Sequence, residues 1–256
     1  MKPPRVVGVI PARYASQRLP AKPLLDLLGK TMVQRVYEQA KKAQRLTQVI
    51  VATDDERIAG VVRDFGGEVV ITPPGIQSGS DRVAAVAARN EGDIFLNIQG
   101  DEPFIAPEMI DQASEILIDD TRVDVGTLAR RIDTAEDLLN PGIVKVVVDQ
   151  NSFALYFSRS IIPHIRDEQD PSKWLARRTF YKHIGLYVFR REFLLKFAKM
   201  PASSLEQSEK LEQLRILENG FKIKVGFTEH DSIPIDTQTD ADRAVQKLKS
   251  QLNANN

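Results

Sequence analysis

Short, almost wholly apolar runs alternate with amphipathic segments through the first 150 residues, and few folds accept that alternation. Strand candidates are Val6–Ile10, Val49–Thr53, Glu68–Thr72, Ile94–Gln99, Val123–Ala129 and Val144–Asp149, with helical periodicity near 32–46, 56–65, 81–90 and 107–118. Runs that are apolar on both faces suit a parallel sheet covered by helices on either side, and strands separated by helices of about 10–15 residues suit βαβ units. The expected fold class is α/β: a Rossmann-like, doubly wound, mostly parallel sheet with an inserted antiparallel portion. Ligands of such a sheet gather beyond the carboxyl ends of its strands.

The texture changes after residue 150. Phe153–Arg159 and Tyr181–Arg190 alternate in the two-residue rhythm of antiparallel strands, and Asp149-Gln150-Asn151 has the chemistry of a turn between hairpin strands. Arg166–Arg178 reads as a flexible polar loop. Leu205–Asn219 reads as a helix closed by Gly220, Ile223–Phe227 as a strand and Thr237–Leu252 as a final helix. With no repeat and no clean linker, residues 1–256 are expected to form one domain, with the antiparallel portion at about 150–200.

Composition removes several classes of function. The chain has 256 residues, no cysteine, 42% hydrophobic and 27% charged residues. The missing thiols exclude a disulfide framework, a thiolate nucleophile and a cysteine-bound metal. Thirty-five basic residues balance thirty-five acidic ones, so nothing global points to nucleic acid or a membrane surface, and any anion site must be local. No run approaches the ~20 apolar residues of a membrane span. The opening Met1-Lys2-Pro3-Pro4-Arg5 lacks the apolar core of a signal peptide, and the expected compartment is the cytoplasm.

Local chemistry collects at the strand ends. Arg13, Arg18 and Lys22 follow the first strand within ten residues, where guanidinium forks and a mobile ammonium suit phosphate oxygens, although a solvated basic loop reads the same. Neither a Walker glycine loop nor G-x-G-x-x-G is present, which argues against a nicotinamide oxidoreductase. Asp101 follows the run Ile94–Ile98, where an acid can serve a magnesium ion or merely a turn. Asp236 is open to the same metal role or to capping the last helix. Ser78-Gly79-Ser80-Asp81-Arg82 can receive an anion at a helix start or simply cap it. His183 reads by default as a core or hairpin-face histidine, and Glu206, Glu209 and Gln213 as a solvated helix face.

The order of these segments is more specific than any one of them. P-A-R-Y-A-S-Q-R-L-P-A-K-P-L at 11–24, A-T-D-D at 52–55, Q-S-G-S-D-R at 77–82, N-I-Q-G-D-E-P at 97–103 and V-K-V-V-V-D at 144–149 resemble the CMP-Kdo synthetases, where Kdo is 3-deoxy-manno-octulosonate. So do A-L-Y-F-S-R-S at 154–160, K-H-I-G-L-Y-V-F-R at 182–190, L-E-Q-S-E-K-L-E-Q-L-R at 205–215 and I-D-T at 235–237. The resemblance runs in family order from residue 6 to about 245. It implies the fold of nucleotide-diphospho-sugar transferases and the reaction of CTP with Kdo to give CMP-Kdo and pyrophosphate, feeding lipopolysaccharide assembly. It further implies that Arg13 and Lys22 hold the triphosphate, with Ser16 and Arg18 nearby, and that Gln77, Ser80 and Arg82 lie at the nucleotide. Magnesium would fall to Asp101 and Asp236, and the catalytic set would be Arg13, Lys22 and Asp101. Kdo would fall to Gln99, Arg159, His183, Tyr187, Glu212 and Gln213. The family implies a homodimer joined through the antiparallel portion. The same chemistry on 8-amino-Kdo or a sialic acid is the neighbouring reading; relatives acting on 8-amino-Kdo tend to read G-D-Q-P where this chain has Glu102. A catalytically silent nucleotide or sugar-acid sensor is the alternative of another class.

Overall fold

β1 (Val6–Ala12) is buried at every position but Pro11, so it must be covered on both faces. The computed structural model describes residues 3–15, 19–76 and 78–254, the side chains of 251–254 excepted. α1 (Met32–Ala40) buries Met32, Val33, Val36, Tyr37 and Ala40, one stripe of a 3.6-residue helix, and Thr31 caps it by accepting from the Gln34 amide. The helix was expected to reach residue 46 and stops at Ala40. Beyond it the Gln44 and Arg45 amides donate to Asp111 instead of continuing the helical ladder. β2 (Gln48–Thr53), α2 (Glu56–Asp64), β3 (Val69–Ile71), α3 (Gly79–Ala87) and β4 (Ile94–Asn97) complete the βαβ alternation. α4 (Pro107–Asp119) follows.

Strands β1 to β4 pair in parallel in the order β3-β2-β1-β4. The chain winds outward from β1 to β3 and then crosses to the other side of β1. That reversal makes the carboxyl ends of β1 and β4 the switch point of the sheet, where a crevice opens. At that point the chains nearly touch: a side chain on Gly100 would stand 2.7 Å from the Pro11 carbonyl oxygen, so only glycine fits.

β5 (Val125–Arg131), α5 (Ala135–Leu139), β6 (Lys145–Val148), β7 (Ala154–Ser158) and β8 (Tyr181–Arg190) come next. Then follow α6 (Arg191–Phe197), α7 (Ser204–Glu209), α8 (Leu214–Glu218) and β9 (Lys224–Phe227). Here β5 pairs antiparallel with β8 and parallel with β9, and β6 pairs antiparallel with both β7 and β8. The expectation of a parallel layer through residue 150 therefore fails at β5 and β6. An apolar run says that a strand is buried, not which way its partner points. α9 (Gln238–Ala254) returns to the first region, where Ala241 and Ala244 pack with Leu27, Met32 and Ile235. Contacts gather the chain into two compact units, Met1–Asp111 with Ser232–Asn256, and Gln112–Asp231.

Two further expectations are corrected. The 166–178 segment is not a flexible loop: Pro171–Ala176 forms a 3-10 helix capped by Asp170, and Trp174 is buried among Ile132, Leu138 and Phe180 with its indole N–H donating to Glu168 O at 2.7 Å. The helix expected over 205–219 is two helices, because Lys210 adopts the left-handed conformation (φ 54°) between α7 and α8. Gly220 does have the positive φ of a helix terminator (78°).

Candidate active site

The switch point of the first unit holds a cavity of about 500 Å³. Its walls are the segment after β1 (Pro11 to Arg13, Ala15), Lys22-Pro23, the start of α3 (Ser78, Gly79, Arg82), the segment after β4 (Gln99 to Asp101) and Asp236. Sequence positions up to 225 residues apart, from Pro11 to Asp236, thus meet in one pocket. Arg13 is exposed on its rim. Lys22 lies in a 3-10 turn, Lys22–Leu24, entered through Ala21 in the left-handed conformation. Its ammonium donates to Asp101 Oδ2 at 2.6 Å and Asp236 Oδ1 at 2.8 Å, with the lysine side chain only 12% exposed. The Ile235 amide donates to Asp101 O at 2.9 Å, and Ile235 is buried in the core beside α9, so the two carboxylates are brought side by side by backbone as well as by the lysine.

The open question at Asp236 is answered by its neighbour. Thr237 and Asp240 cap α9 reciprocally: Thr237 Oγ1 accepts from the Asp240 amide, and Asp240 Oδ2 accepts from the Thr237 amide. The Asp236 carboxylate is turned to Lys22 instead. Two carboxylates lining a cavity of about 500 Å³ suit a magnesium ion, which takes one or two protein carboxylates and completes its shell with phosphate and water. The described residues hold no cluster of three or more metal-binding side chains. A site completed by the substrate needs none.

Ser78 caps α3 by accepting from the Asp81 amide at 3.0 Å. Ser80 is buried and accepts from Asn97 Nδ2 at 3.3 Å. Arg82 lines the cavity, yet its guanidinium is fully buried and donates to Asp54 at 3.0 Å and to Thr72 Oγ1. Its charge is thus already matched, and it ties the start of α3 to the segment after β2. Arg57, held by Asp55, stacks on the Tyr14 ring 3.3 Å from its centroid and braces the loop beyond β1. Ser16, Arg18 and Gln77 lie outside the described residues.

The second unit assembles the remaining candidates, while Gln99 stands with the first. Register aligns Ser158 with Lys145 and Lys145 with Lys182, and the His183 amide donates to Val144 O at 2.8 Å. Arg159 and His183 therefore occupy one row across three strands, about 10 Å apart at the backbone. The His183 ring sits edge-on to Phe157, with centroids 5.0 Å apart, and 5.2 Å from the Tyr187 ring. Although the residue is only partly covered overall, burial of its ring pulls the imidazole pKa from 6.5 down to about 3. The Thr127 hydroxyl lies 3.0 Å from His183 Nε2 and bonds the carbonyls of Ile184 and Leu186 at 3.0 and 2.9 Å. When its single proton goes to one of these carbonyls, Nε2–H donates to the hydroxyl and Nδ1 is left as an acceptor. Burial, and secondarily the Glu212 charge, raises the Tyr187 phenol well above its ordinary range, and Tyr187 Oη has no hydrogen-bond partner among the described residues. Gln213 is buried beside this group in sequence, and Glu212 lies 3.6 Å from Arg215.

Glu206 and Glu209 are not the solvated face expected of them. Glu206 forms a two-pronged ion pair with buried Arg215. Glu209 accepts from Ser158 Oγ at 2.6 Å and the Arg159 amide at 3.0 Å. Lys145, unremarked in the sequence beyond its motif, is wholly buried and reaches Arg159 O.

Comparison with known proteins supplies the deciding observation: the Cytidylyltransferase family profile matches residues 7–223. The chain belongs to this cytidylyltransferase family. A 3-deoxy-manno-octulosonate cytidylyltransferase of Geobacter metallireducens is 52% identical over 248 residues, covering 95% of this chain and 98% of that protein. One of Parabacteroides distasonis is 50% identical over 250 residues, with 95% and 98% covered. Among solved structures, a CMP:2-keto-3-deoxy-manno-octonic acid synthetase complexed with CTP superposes with a TM-score of 0.90 at 39% identity, covering 96% of this chain and 99% of that one. A 4-diphosphocytidyl-2C-methyl-D-erythritol synthase of Anaerococcus prevotii, 13% identical with a TM-score of 0.61, shares the fold of the cytidylyltransferase chain.

Proposed function

We infer that the chain transfers the cytidylyl group of CTP to Kdo, giving CMP-Kdo and pyrophosphate. Nucleotidyl transfer is carried by one observation above the others: Lys22 joins Asp101 and Asp236 at 2.6 and 2.8 Å in a cavity rimmed by Arg13. The sugar acid comes from the near-full-length relatives at about half identity. In the reaction the anomeric oxygen of Kdo forms a bond to the α-phosphorus while the bond to the bridging α–β oxygen breaks. Pyrophosphate leaves with that electron pair, and the proton of the anomeric hydroxyl passes to solvent.

Such a transfer asks mainly for positioning and charge neutralisation. Arg13 and Lys22 are the cations for the triphosphate and for the charge that builds on departing pyrophosphate. Asp101 and Asp236 would hold magnesium, which would neutralise phosphate charge and lower the pKa of the attacking hydroxyl. In the second unit Arg159 would meet the Kdo carboxylate. His183, neutral across the physiological range, and Tyr187 would offer sugar hydroxyls an acceptor and a donor, with Glu212 and Gln213 as further polar contacts. No helix among the described residues is long and apolar enough to cross a membrane. Cytoplasmic residence, service to lipopolysaccharide assembly and a homodimer formed through the second unit complete this reading.

Pyrophosphate release with CTP and magnesium, compared for Kdo, 8-amino-Kdo and a sialic acid, tests it. Release that depends on Kdo is expected. Release with only another acceptor moves the sugar assignment, and CTP binding without release from any acceptor sinks the catalytic reading in favour of a sensor.

A further inference from the structure

Arg159 is gripped unusually for a surface-reaching arginine. Its Nε donates to Glu209 O at 2.8 Å and one terminal nitrogen donates to Pro141 O at 3.3 Å. Both acceptors are neutral carbonyls, and among the described residues its guanidinium makes no ion pair. Two of its five N–H groups are thus spent on fixing orientation, the other three are left over, and the charge is not cancelled.

The backbone of the same residue is gripped as firmly. The Glu209 carboxylate takes the Arg159 amide on one oxygen and the Ser158 hydroxyl on the other. Lys145 donates to Arg159 O at 3.3 Å and to Asn140 O at 2.7 Å, and Asn140 precedes the proline whose carbonyl receives the guanidinium. A lysine fully buried against two carbonyls is an expensive tie, since burial penalises its ammonium and pushes its pKa down, with distant Asp137 only partly offsetting the effect. Glu209 reaches its place because Lys210, the next residue, turns left-handed and ends α7 there. A hydrophobic strand position would favour an apolar residue at 145, so packing alone does not account for the lysine.

We propose that Lys145 and Glu209 are positioning residues that hold the Arg159 guanidinium uncancelled and pre-oriented for the carboxylate of the sugar acid. This rests on the reading of Arg159 as the residue that meets that carboxylate. Neither side chain need touch the sugar. Each fixes one end of the arginine: the Glu209 carboxylate holds its amide, while the Glu209 main-chain carbonyl takes Nε, and Lys145 holds its carbonyl and the 140–141 anchor. Pre-set orientation matters because a displacement of about 1 Å in a binding group is enough to cost up to ~100-fold in rate.

The test compares steady-state kinetics of the full chain as Lys145→Met, Glu209→Gln, Arg159→Ala and the double variant Lys145→Met/Arg159→Ala. Lys145→Met and Glu209→Gln are each expected to raise the KM for Kdo about tenfold while the KM for CTP stays within about twofold, the loss of one or two charge-assisted bonds. The double variant is expected to match Arg159→Ala alone, because the clamp has nothing left to hold. Equal losses toward both substrates, or full additivity in the double variant, overturn the proposal and leave Lys145 and Glu209 as structural supports. An increase in KM for Kdo in Arg159→Ala without any in the single clamp variants rejects the clamp alone. No increase in Arg159→Ala rejects the clamp together with the reading beneath it. Should Lys145→Met not accumulate as folded protein, Glu209→Gln, which keeps the size of the side chain, carries the same comparison.

Discussion

In the first unit the candidate side chains stand on loops beyond parallel strand ends; in the second they stand on antiparallel strands and short helices, close to rings and carbonyls. The cavity of the first unit groups opposite charges in reach of solvent, Lys22 against Asp101 and Asp236. Around Arg159 and His183 the other region instead relies on neutral partners, with His183 set between Phe157, Tyr187 and Thr127 and Lys145 bonded to carbonyls. The contrast suits the two ligands proposed for these regions. A triphosphate brings several negative charges that mobile cations must meet, whereas a sugar acid brings one carboxylate and many neutral hydroxyls, which demand direction more than charge.

The sharpest way to break this contrast is Asp101→Asn. Turnover should fall at least about a hundredfold while CTP binding, followed by calorimetry, weakens far less. Near-normal turnover would remove the carboxylate pair from the chemistry. Next in size is Trp174→Ala, which should cost the second unit about 3–5 kcal/mol in chemical denaturation because a buried indole and its hydrogen bond are both lost. A loss below about 1 kcal/mol would return the 166–178 segment to the status of a loose loop. Arg159→Ala should raise the KM for Kdo roughly 10- to 150-fold, the worth of hydrogen bonds to a charged group, and leave that for CTP alone.

His183 gives a pH-dependent effect, absent at neutral pH and growing only as pH falls below 6.5. Because its folded pKa lies near 3 and its unfolded value near 6.5, unfolding takes up a proton between those limits. The contribution to stability is whole above pH 6.5 and declines by about 1.4 kcal/mol per pH unit as pH falls toward 3. His183→Gln should flatten the stability–pH curve over that range, and an unchanged slope would mean the imidazole titrates normally. The smallest change is expected at Thr237→Ala, about 1 kcal/mol from the α9 cap, read from the thermal midpoint.

The two regions also differed in how far their sequence could be read. Loops beyond strand ends keep a site in contiguous stretches, so Arg13, Lys22 and Asp101 stood out as charge next to apolar runs. Asp236 stayed ambiguous until the structure gave the capping task to Thr237 and Asp240, although the Thr-x-x-Asp spacing was already present. In the second unit the candidate residues are interleaved with packing. Arg159 and His183 could be found only through family resemblance, because on an alternating strand they share the rhythm of core residues. Lys145 sat inside an apolar run, and Glu209 seemed to belong to a solvated helix face. Nothing in a lysine announces the left-handed turn at Lys210 that cuts that helix in two. Strand direction was equally hidden at β5 and β6, where burial is the same for either pairing.

The late position of Asp236 has a consequence for the order in which the protein can become active on the ribosome. The strands and cations of the nucleotide pocket emerge within the first 111 residues, yet the second carboxylate and the helix that buries Ile235 and covers Leu27 and Met32 arrive only after residue 231. A nascent chain can therefore finish the intervening unit while its first one still lacks a wall. Any chain interrupted before Asp236 carries Lys22 with one carboxylate instead of two.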